Sequence, residues 1–261
     1  MPRRVYGHKK SVVEESDPIR TFTVSRVHTG VKKVDLRHLC PPVYDQGELG
    51  SCTANALAGA YQFDEIKEKE KSEFQPSRLY IYYNERAKDG DVNEDAGSTI
   101  KTGIQVINTQ GVCPETKEGS EPCWPYDTSK FTEKPTQDCY NFGKTHHSVK
   151  YHRINQNLEQ LKQCLIEGYP IAFGFTVFSS FESQQVADTG VMQMPQPGEQ
   201  IMGGHAVLAV GFDDDKKVFI VRNSWGPDWG DKGYFYMPYE YMTNPELASD
   251  FWSITLVQDQ P

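Results

Sequence analysis

The sequence has no run of about 18 apolar residues, and its first ten residues lack the apolar segment that a secretory signal needs. We therefore expect neither a membrane-spanning segment nor a membrane partner. A chain from which an export signal had been removed would look the same, so the sequence does not fix the compartment. The cytoplasm is slightly favoured.

The sequence also lacks a strongly basic domain, which argues against nucleic acid as a partner. Lys and Arg number 27 and Asp and Glu number 36, for a net charge of −9. There is no C-x-x-C or H-x-x-x-H pair, and His146-His147 has no cysteine at ligand spacing, so a zinc site is disfavoured. We expect no metal and no cofactor, and we find no internal repeat.

What is present is typical of one globular unit in two lobes: 261 residues, 37% hydrophobic and 12% aromatic. The first half has helical periodicity, whereas the second half alternates as strands do. The expected class is α+β with an antiparallel sheet or barrel. The predicted helices begin near Ser51, Gln75, Ser98 and Leu158, and the predicted strands cover 170–178, 206–212, 218–222, 234–237 and 253–257.

Cys52 lies where a glycine-containing loop meets an alanine-rich apolar helix. Ser51 is a suitable N-cap, which places Cys52 in the first turn, where the helix dipole favours a thiolate. A buried structural cysteine is the alternative. Gln46 precedes Cys52 by six residues, and its side-chain amide together with the Cys52 backbone N–H could form an oxyanion hole.

The second half supplies the groups that would make Cys52 a nucleophile. His205 follows two glycines at the start of an apolar strand, and Asn223 ends the next strand 18 residues later. A hairpin would bring Asn223 beside His205, where its amide oxygen would orient the imidazole towards the sulfur. Trp225 would then cover the contact between the histidine and the asparagine, although a purely structural aromatic corner is the alternative.

Six cysteines are present, and five remain if Cys52 stays free, so at least one other thiol is unpaired. Cys113 and Cys123 could close a disulfide within the Pro-rich loop-like segment 112–140. Reduced thiols fit equally well.

Residues 1–34 form a basic arm with a net charge of +5, which leaves −14 on the rest of the chain. Opposite charges would allow the arm to dock on the body, and Tyr6-Gly7 could fill an apolar subsite. A solvated terminus is the alternative reading.

Three separated motifs, in one order, resemble those of the papain-family cysteine peptidases. They are Gln46-Gly47 with Gly50-Ser51-Cys52, then Gly204-His205-Ala206-Val207, then Asn223-Ser224-Trp225-Gly226. The likeness covers residues 34–257 and is closer to short-leader bacterial and viral enzymes than to lysosomal cathepsins.

This resemblance implies a helical lobe at about 40–125, a β-barrel lobe at about 140–257 and an active-site cleft between them. It implies hydrolysis of protein or peptide substrates through a thioester, with Cys52 as nucleophile, His205 as base, Asn223 as orienting residue and Gln46 in the oxyanion hole. Residues 1–33 would be a leader-like arm that lies in the cleft and keeps the enzyme a zymogen.

The sequence also departs from the family pattern. Leu49 replaces a cysteine, Thr53 replaces an aromatic residue, and 153 residues separate Cys52 from His205. The substrate wall would be Asp95-Ala96-Gly97-Ser98, joined by Gly204 and Trp225. An acyl or glutamyl transferase on the same triad, and a non-catalytic binding module, are the alternative functions.

Overall fold

A computed structural model describes residues 3–23, 30–69, 73–117, 119, 121–147 and 149–256. Arg26 of the basic arm lies outside the described residues, as does Val257, where the last strand and the catalytic domain were predicted to end. No helix in the described ranges combines the length and the apolar character needed to cross a membrane.

The helices of the first half follow the predicted pattern. The Ser77 hydroxyl accepts a hydrogen bond from the Tyr80 backbone N–H and so caps the second helix, and the third ends at Gly111, whose φ of 73° suits a glycine. The helices are α1 Cys52–Glu68, α2 Arg78–Asp89, α3 Ile100–Gln110, α4 Gln137–Gly143, α5 Leu158–Ile166, α6 Gln184–Thr189 and α7 Tyr239–Thr243.

The strands form one sheet in the order β1-β3-β8-β4-β5-β6-β7, and β2 pairs separately with β5. All pairs are antiparallel except β1 with β3. The strands are β1 Ile19–Arg20, β2 Lys33–Asp35, β3 Val149–Ile154, β4 Ile171–Phe178, β5 Ile201–Asp213, β6 Val218–Arg222, β7 Tyr234–Pro238 and β8 Ala248–Leu256.

Two apolar clusters form the core. One joins the faces of α1 to α3 to strand residues such as Leu208 and Val210, and the other fills the opposite side of the sheet around Phe173 and Phe235. Every residue of α1 from Cys52 to Glu65 is buried. Because α1 packs directly on β5, the sheet residues that flank Cys52 are fixed by the same packing that forms the core.

Some elements were not predicted. Segment 112–140 is not a loop throughout, because α4 begins at Gln137, where the Thr136 hydroxyl accepts from the Cys139 backbone N–H. The arm is also more than a tail, since its β1 joins the sheet and Phe22 is buried in the core. All six cysteines are free, and the Cys113 thiol is hydrogen-bonded to Cys139.

Candidate active site

Cys52 is the first residue of α1 and is fully buried. Ser51 occupies the N-cap position without a side-chain capping bond, because its hydroxyl contacts Tyr126 Oη at 2.6 Å instead. The backbone N–H groups of Ala206 and Gly7 hydrogen-bond to the Cys52 sulfur. These bonds lower the pKa of the thiol less than burial raises it, and burial brings that pKa to about 11.

His205 and Asn223 meet between β5 and the end of β6. His205 Nε2 lies 2.8 Å from Asn223 Oδ1, which also accepts from the Ser224 backbone N–H at 2.8 Å. Since this oxygen only accepts, Nε2 carries the hydrogen and Nδ1 is the basic nitrogen. Nδ1 is buried and has no hydrogen-bond partner among the described residues. Burial lowers the pKa of His205 to about 4, and the bond to Asn223 only partly opposes this.

Aromatic rings enclose the imidazole. Trp225, the residue predicted to cover the contact between His205 and Asn223, stacks on His205 with ring centroids 5.0 Å apart and planes 25° apart. Phe175 meets His205 edge-on at 5.8 Å. This enclosure explains the desolvation of the ring and favours its neutral form.

Gln46 connects the cysteine-bearing loop to the sheet. Its side-chain Nε2 donates to the Leu49 carbonyl at 3.0 Å, and its Oε1 accepts from the Ser224 hydroxyl at 2.6 Å. An amide nitrogen has two hydrogens, and among the described residues Gln46 Nε2 uses only one of them, so the second can be donated to another acceptor. The side chain is 1% exposed, which fixes its orientation.

The predicted substrate wall divides into two parts. Asp95 is exposed, and its carboxylate accepts from the Gly50 backbone N–H at 3.0 Å and from the Tyr82 hydroxyl, while Ala96 is half-buried. Gly97 and Ser98 face the N-terminal arm. Asp95 therefore holds the loops around Cys52 together, whereas the backbone at 97–98 provides the contact surface.

The N-terminal arm runs across Cys52 as an extended segment. Ser98 N–H donates to the Gly7 carbonyl and Ser98 C=O accepts from Lys9 N–H, both at 2.8 Å. His8 N–H donates to the Gly204 carbonyl at 3.1 Å. The arm is thus bonded on one side to the helical lobe and on the other to β5.

Arm side chains extend to both sides of this crossing. The Tyr6 ring contacts His205 and Trp225 at 6.0 and 6.2 Å, and its hydroxyl donates to Glu182. The Arg4 guanidinium lies 4.4 Å from the Trp225 ring centroid. Tyr6 therefore lies beside the histidine, and its occupation of a substrate subsite stays a prediction.

A buried carboxyl lies behind the cysteine. Glu85 of α2 is fully buried, and its Oε2 accepts from the Thr53 hydroxyl at 2.8 Å, whereas its Oε1 has no hydrogen-bond partner in the described contacts. Burial raises the pKa of Glu85 to about 8. The hydroxyl of Thr53, at a position where the family usually has an aromatic residue, thus serves as the hydrogen-bond donor to Glu85.

Comparison with known proteins places this geometry in a family. The profile of the papain family cysteine proteases matches residues 31–253. The chain belongs to the papain family of cysteine proteases. It is therefore a cysteine peptidase, a hydrolase of peptide bonds, with the papain-like α+β fold of a helical and a β-sheet lobe.

Individual relatives agree with this membership. A peptidase C1-like protein of Acanthamoeba polyphaga mimivirus is 45% identical, over 98% of this chain and 88% of that protein. The crystal structure of xylellain, a cysteine protease from Xylella fastidiosa, is 41% identical with a TM-score of 0.83, over 97% of this papain-family chain and 96% of that one. Cathepsin B-like CP2 of Giardia intestinalis is 28% identical, and the match spans 77% of this chain and 65% of that protein.

The sequence motifs of this papain-family chain therefore lead to residues that the fold brings together: Cys52, His205, Asn223, Gln46, Gly204 and Trp225. Sequence reasoning missed Ser224 as the partner of Gln46, although Ser224 lies inside a motif that was recognised. It also missed Glu182 and Asp250, which contact Tyr6 and His8 of the arm. No local pattern marks either carboxylate.

Proposed function

We propose that this chain is an endopeptidase in which Cys52, His205 and Asn223 act as a catalytic triad. The observation that carries the proposal is the arrangement of His205, whose Nε2 is held by Asn223 and whose basic Nδ1 is buried without a hydrogen-bond partner among the described residues. The next residue, Ala206, donates its backbone N–H to the Cys52 sulfur. This is the nucleophile, base and orienting group that acyl transfer requires.

In the proposed reaction, His205 takes the Cys52 proton, and the thiolate attacks the peptide carbonyl. Gln46 Nε2–H and the Cys52 backbone N–H stabilise the oxyanion. His205 then protonates the leaving amine and activates water against the thioester, which releases the acid and restores the thiol.

We further propose that the arm keeps this enzyme inactive. Gly7 occupies the place over the sulfur, and the high pKa of Cys52 together with the low pKa of His205 favours the neutral thiol and imidazole while water is excluded. Displacement of the arm would admit both water and substrate. The ion pair would then become favourable, because desolvation is the largest cause of both shifts.

The test is peptide turnover by the full chain and by a chain that begins at Val12, which keeps β1 and the buried Phe22. We expect the shorter chain to be faster, and Cys52→Ser, His205→Ala and Asn223→Ala to lower its turnover. Equal turnover by both chains at every pH would reject inhibition by the arm.

Product analysis in the same assay separates hydrolysis from transfer. Peptide acids as the products support the peptidase, whereas amide products formed preferentially with an added amine would indicate an acyl transferase. Iodoacetamide that labels Cys52 of the shorter chain no faster than the other thiols would point to a non-catalytic binding module.

A further inference from the structure

The Ser51 hydroxyl belongs to a hydrogen-bond network that the proposed mechanism does not use. Ser51 is fully buried at the N-cap position of α1 but does not cap the helix. Its oxygen instead accepts from Asn55 Nδ2 at 3.0 Å and lies 2.6 Å from the Tyr126 hydroxyl. A serine at this position normally stabilises a helix by capping it, so the network is formed at a cost in helix stability. Such a cost points to another role for these bonds.

The hydrogens in this network run in one direction. The Tyr126 hydroxyl donates to the Gln46 carbonyl at 2.8 Å. A phenol has a single hydrogen and a carbonyl only accepts, so the Ser51 hydroxyl must donate to Tyr126. Donation thus passes from Asn55 through Ser51 to Tyr126. It ends on the backbone of Gln46, the residue proposed for the oxyanion hole.

A buried guanidinium lies at the start of the network. Arg78 Nη1 donates to Asn55 Oδ1 at 3.1 Å and to the Asp45 carbonyl at 2.9 Å. Glu115 holds Arg78 by two hydrogen bonds, of 2.7 and 2.9 Å, and the two side chains are 7% and 8% exposed. The guanidinium also lies 3.8 Å from the Tyr126 ring centroid. A fixed buried charge polarises and strengthens a chain of hydrogen bonds, so Arg78 supports both the ring and the hydroxyl of Tyr126.

The network joins the two segments that form the proposed oxyanion hole. Gln46 belongs to the loop before α1, and Ser51 directly precedes Cys52, whose N–H is the other proposed donor. The Gln46 N–H donates to the Ser224 carbonyl at 2.9 Å, so with Tyr126 on its carbonyl both backbone polar groups of Gln46 are held. Oxyanion donors are effective when they are fixed before the charge develops. Tyr126 fixes one donor relative to the other.

We propose that Tyr126 is a positioning residue that holds the two donors of the oxyanion hole at the correct separation, through its bonds to Gln46 and Ser51. The inference rests on the proposed peptidase activity, because the oxyanion hole is part of it. Loss of one oxyanion donor typically lowers kcat by about 10²- to 10³-fold. Loss of the Tyr126 hydroxyl leaves both donors present but less well placed, so we expect a smaller loss of about tenfold.

The first measurement compares two reactions of Cys52 in the full chain carrying Gly7→Ala. A Cβ atom on Gly7 would lie 1.9 Å from the Gly50 carbonyl oxygen, so this change should displace the arm from the sulfur. With a peptide aldehyde, the Cys52 sulfur bonds to the carbonyl carbon, the thiol proton passes to His205, and the carbonyl oxygen becomes an oxyanion. Iodoacetamide forms a thioether with release of iodide and a proton, and this reaction creates no oxyanion.

Adding Tyr126→Phe should weaken aldehyde binding by about tenfold and lower kcat with KM unchanged, because only the transition state and its analogue place charge in the oxyanion hole. The rate at which iodoacetamide labels Cys52 should stay the same. Equal losses in both reactions would show a general structural role and would overturn the proposal. An unchanged aldehyde affinity would overturn it as well.

The matched control is Tyr140→Phe in the same background. Tyr140 is half-buried like Tyr126, and its hydroxyl donates to Asn84 Oδ1 at 2.8 Å. This variant should keep the aldehyde affinity and kcat of its parent. A loss equal to that of Tyr126→Phe would count against the proposal, since any lost tyrosine hydroxyl would then have the same effect.

The second measurement needs neither turnover nor displacement of the arm. Hydrogen exchange of the full chain without Gly7→Ala, read by mass spectrometry on peptides that cover residues 44–52, reports how firmly the loop is held. Tyr126→Phe should speed exchange there by about tenfold, whereas Tyr140→Phe should not. Unchanged exchange would refute the positioning role. If iodoacetamide labels Cys52 no faster than the other thiols, the proposed activity fails, and the exchange result still decides whether Tyr126 holds the loop.

Discussion

Asn223 holds His205 through a single oxygen: Oδ1 accepts from His205 Nε2 at 2.8 Å and is itself fixed by the Ser224 backbone N–H at 2.8 Å. Two donors on one oxygen fix both the amide and the ring. The tautomer of the proposed base is therefore set by the backbone turn that follows β6, and not by the nucleophile.

Replacement of Asn223 tests this relationship. We expect Asn223→Ala to lower kcat/KM by about a hundredfold in a chain beginning at Val12, because the imidazole would lose its orientation and its fixed tautomer. Asn223→Asp keeps the acceptor and should retain more activity than alanine. Asn155→Ala, at an exposed site, is the control. Wild-type activity in Asn223→Ala would remove Asn223 from the triad.

Gln46 gives a second prediction. Gln46→Glu keeps an oxygen for the Ser224 hydroxyl but lacks the amide N–H proposed for the oxyanion hole, so kcat should fall by about 10²- to 10³-fold. Ser224→Ala removes the contact to the Gln46 side chain and leaves the amide in place, and should cost much less. A larger loss from Ser224→Ala than from Gln46→Glu would show that Gln46 acts through structure only.

Gly7 gives the third prediction. A Cβ atom on Gly7 would lie 1.9 Å from the Gly50 carbonyl oxygen, so Gly7→Ala should displace the arm and raise peptide turnover by about tenfold or more. Gly30→Ala is the matched control, because no atom of the described residues lies within 4 Å of a Cβ there. If the two variants have equal turnover, the arm does not cover the site in solution.

Glu85 gives a prediction about stability and pH. Its pKa in the folded chain is about 8, above the ordinary value of 4.5, so the stability that its protonated form contributes is complete below pH 4.5 and is lost as the pH rises through 8. Relative to Glu85→Gln, the wild type should lose about 3–5 kcal/mol of unfolding free energy between pH 4.5 and 9.

Urea unfolding at both pH values measures this difference. Burial also raises the pKa of Asp64, to about 7. Asp64 is present in both chains, so its effect on stability cancels in the comparison. Glu240→Gln, at an exposed position, should follow the wild type. Parallel pH profiles for Glu85→Gln and the wild type would mean that the buried carboxyl does not titrate as inferred.

The parts of the fold that were predicted have local causes. Ser77 and Gly111 mark the ends of helices through bonds within a few residues, and the apolar strands β4 and β6 are recognisable from their composition. β1, with two residues, and α7, with five, are formed by partners elsewhere in the chain, and so their sequences carry little signal.

The site divides in the same way. Cys52, His205 and Asn223 lie in motifs whose spacing and residue types could be recognised. The pairing of His8 with Asp250 joins positions 242 residues apart and depends on a bulge in β8, which a single sequence does not reveal. The two hydrogen bonds that fix the Asp95 carboxylate likewise depend on Tyr82 and Gly50 from other segments.

The close approach of three glycines has a kinetic consequence. Gly7 lies between Gly50 and Gly97. A Cβ atom on Gly7 would collide with the Gly50 carbonyl oxygen, and one on Gly97 would collide with the Gly7 carbonyl oxygen, so the gap between these segments has room only for a glycine backbone. Tyr6 and His8 on either side are too large to slide through it. Under the proposed inhibition, the arm must therefore lift away from this crossing as a whole, which makes its release a first-order process with a rate independent of protein concentration.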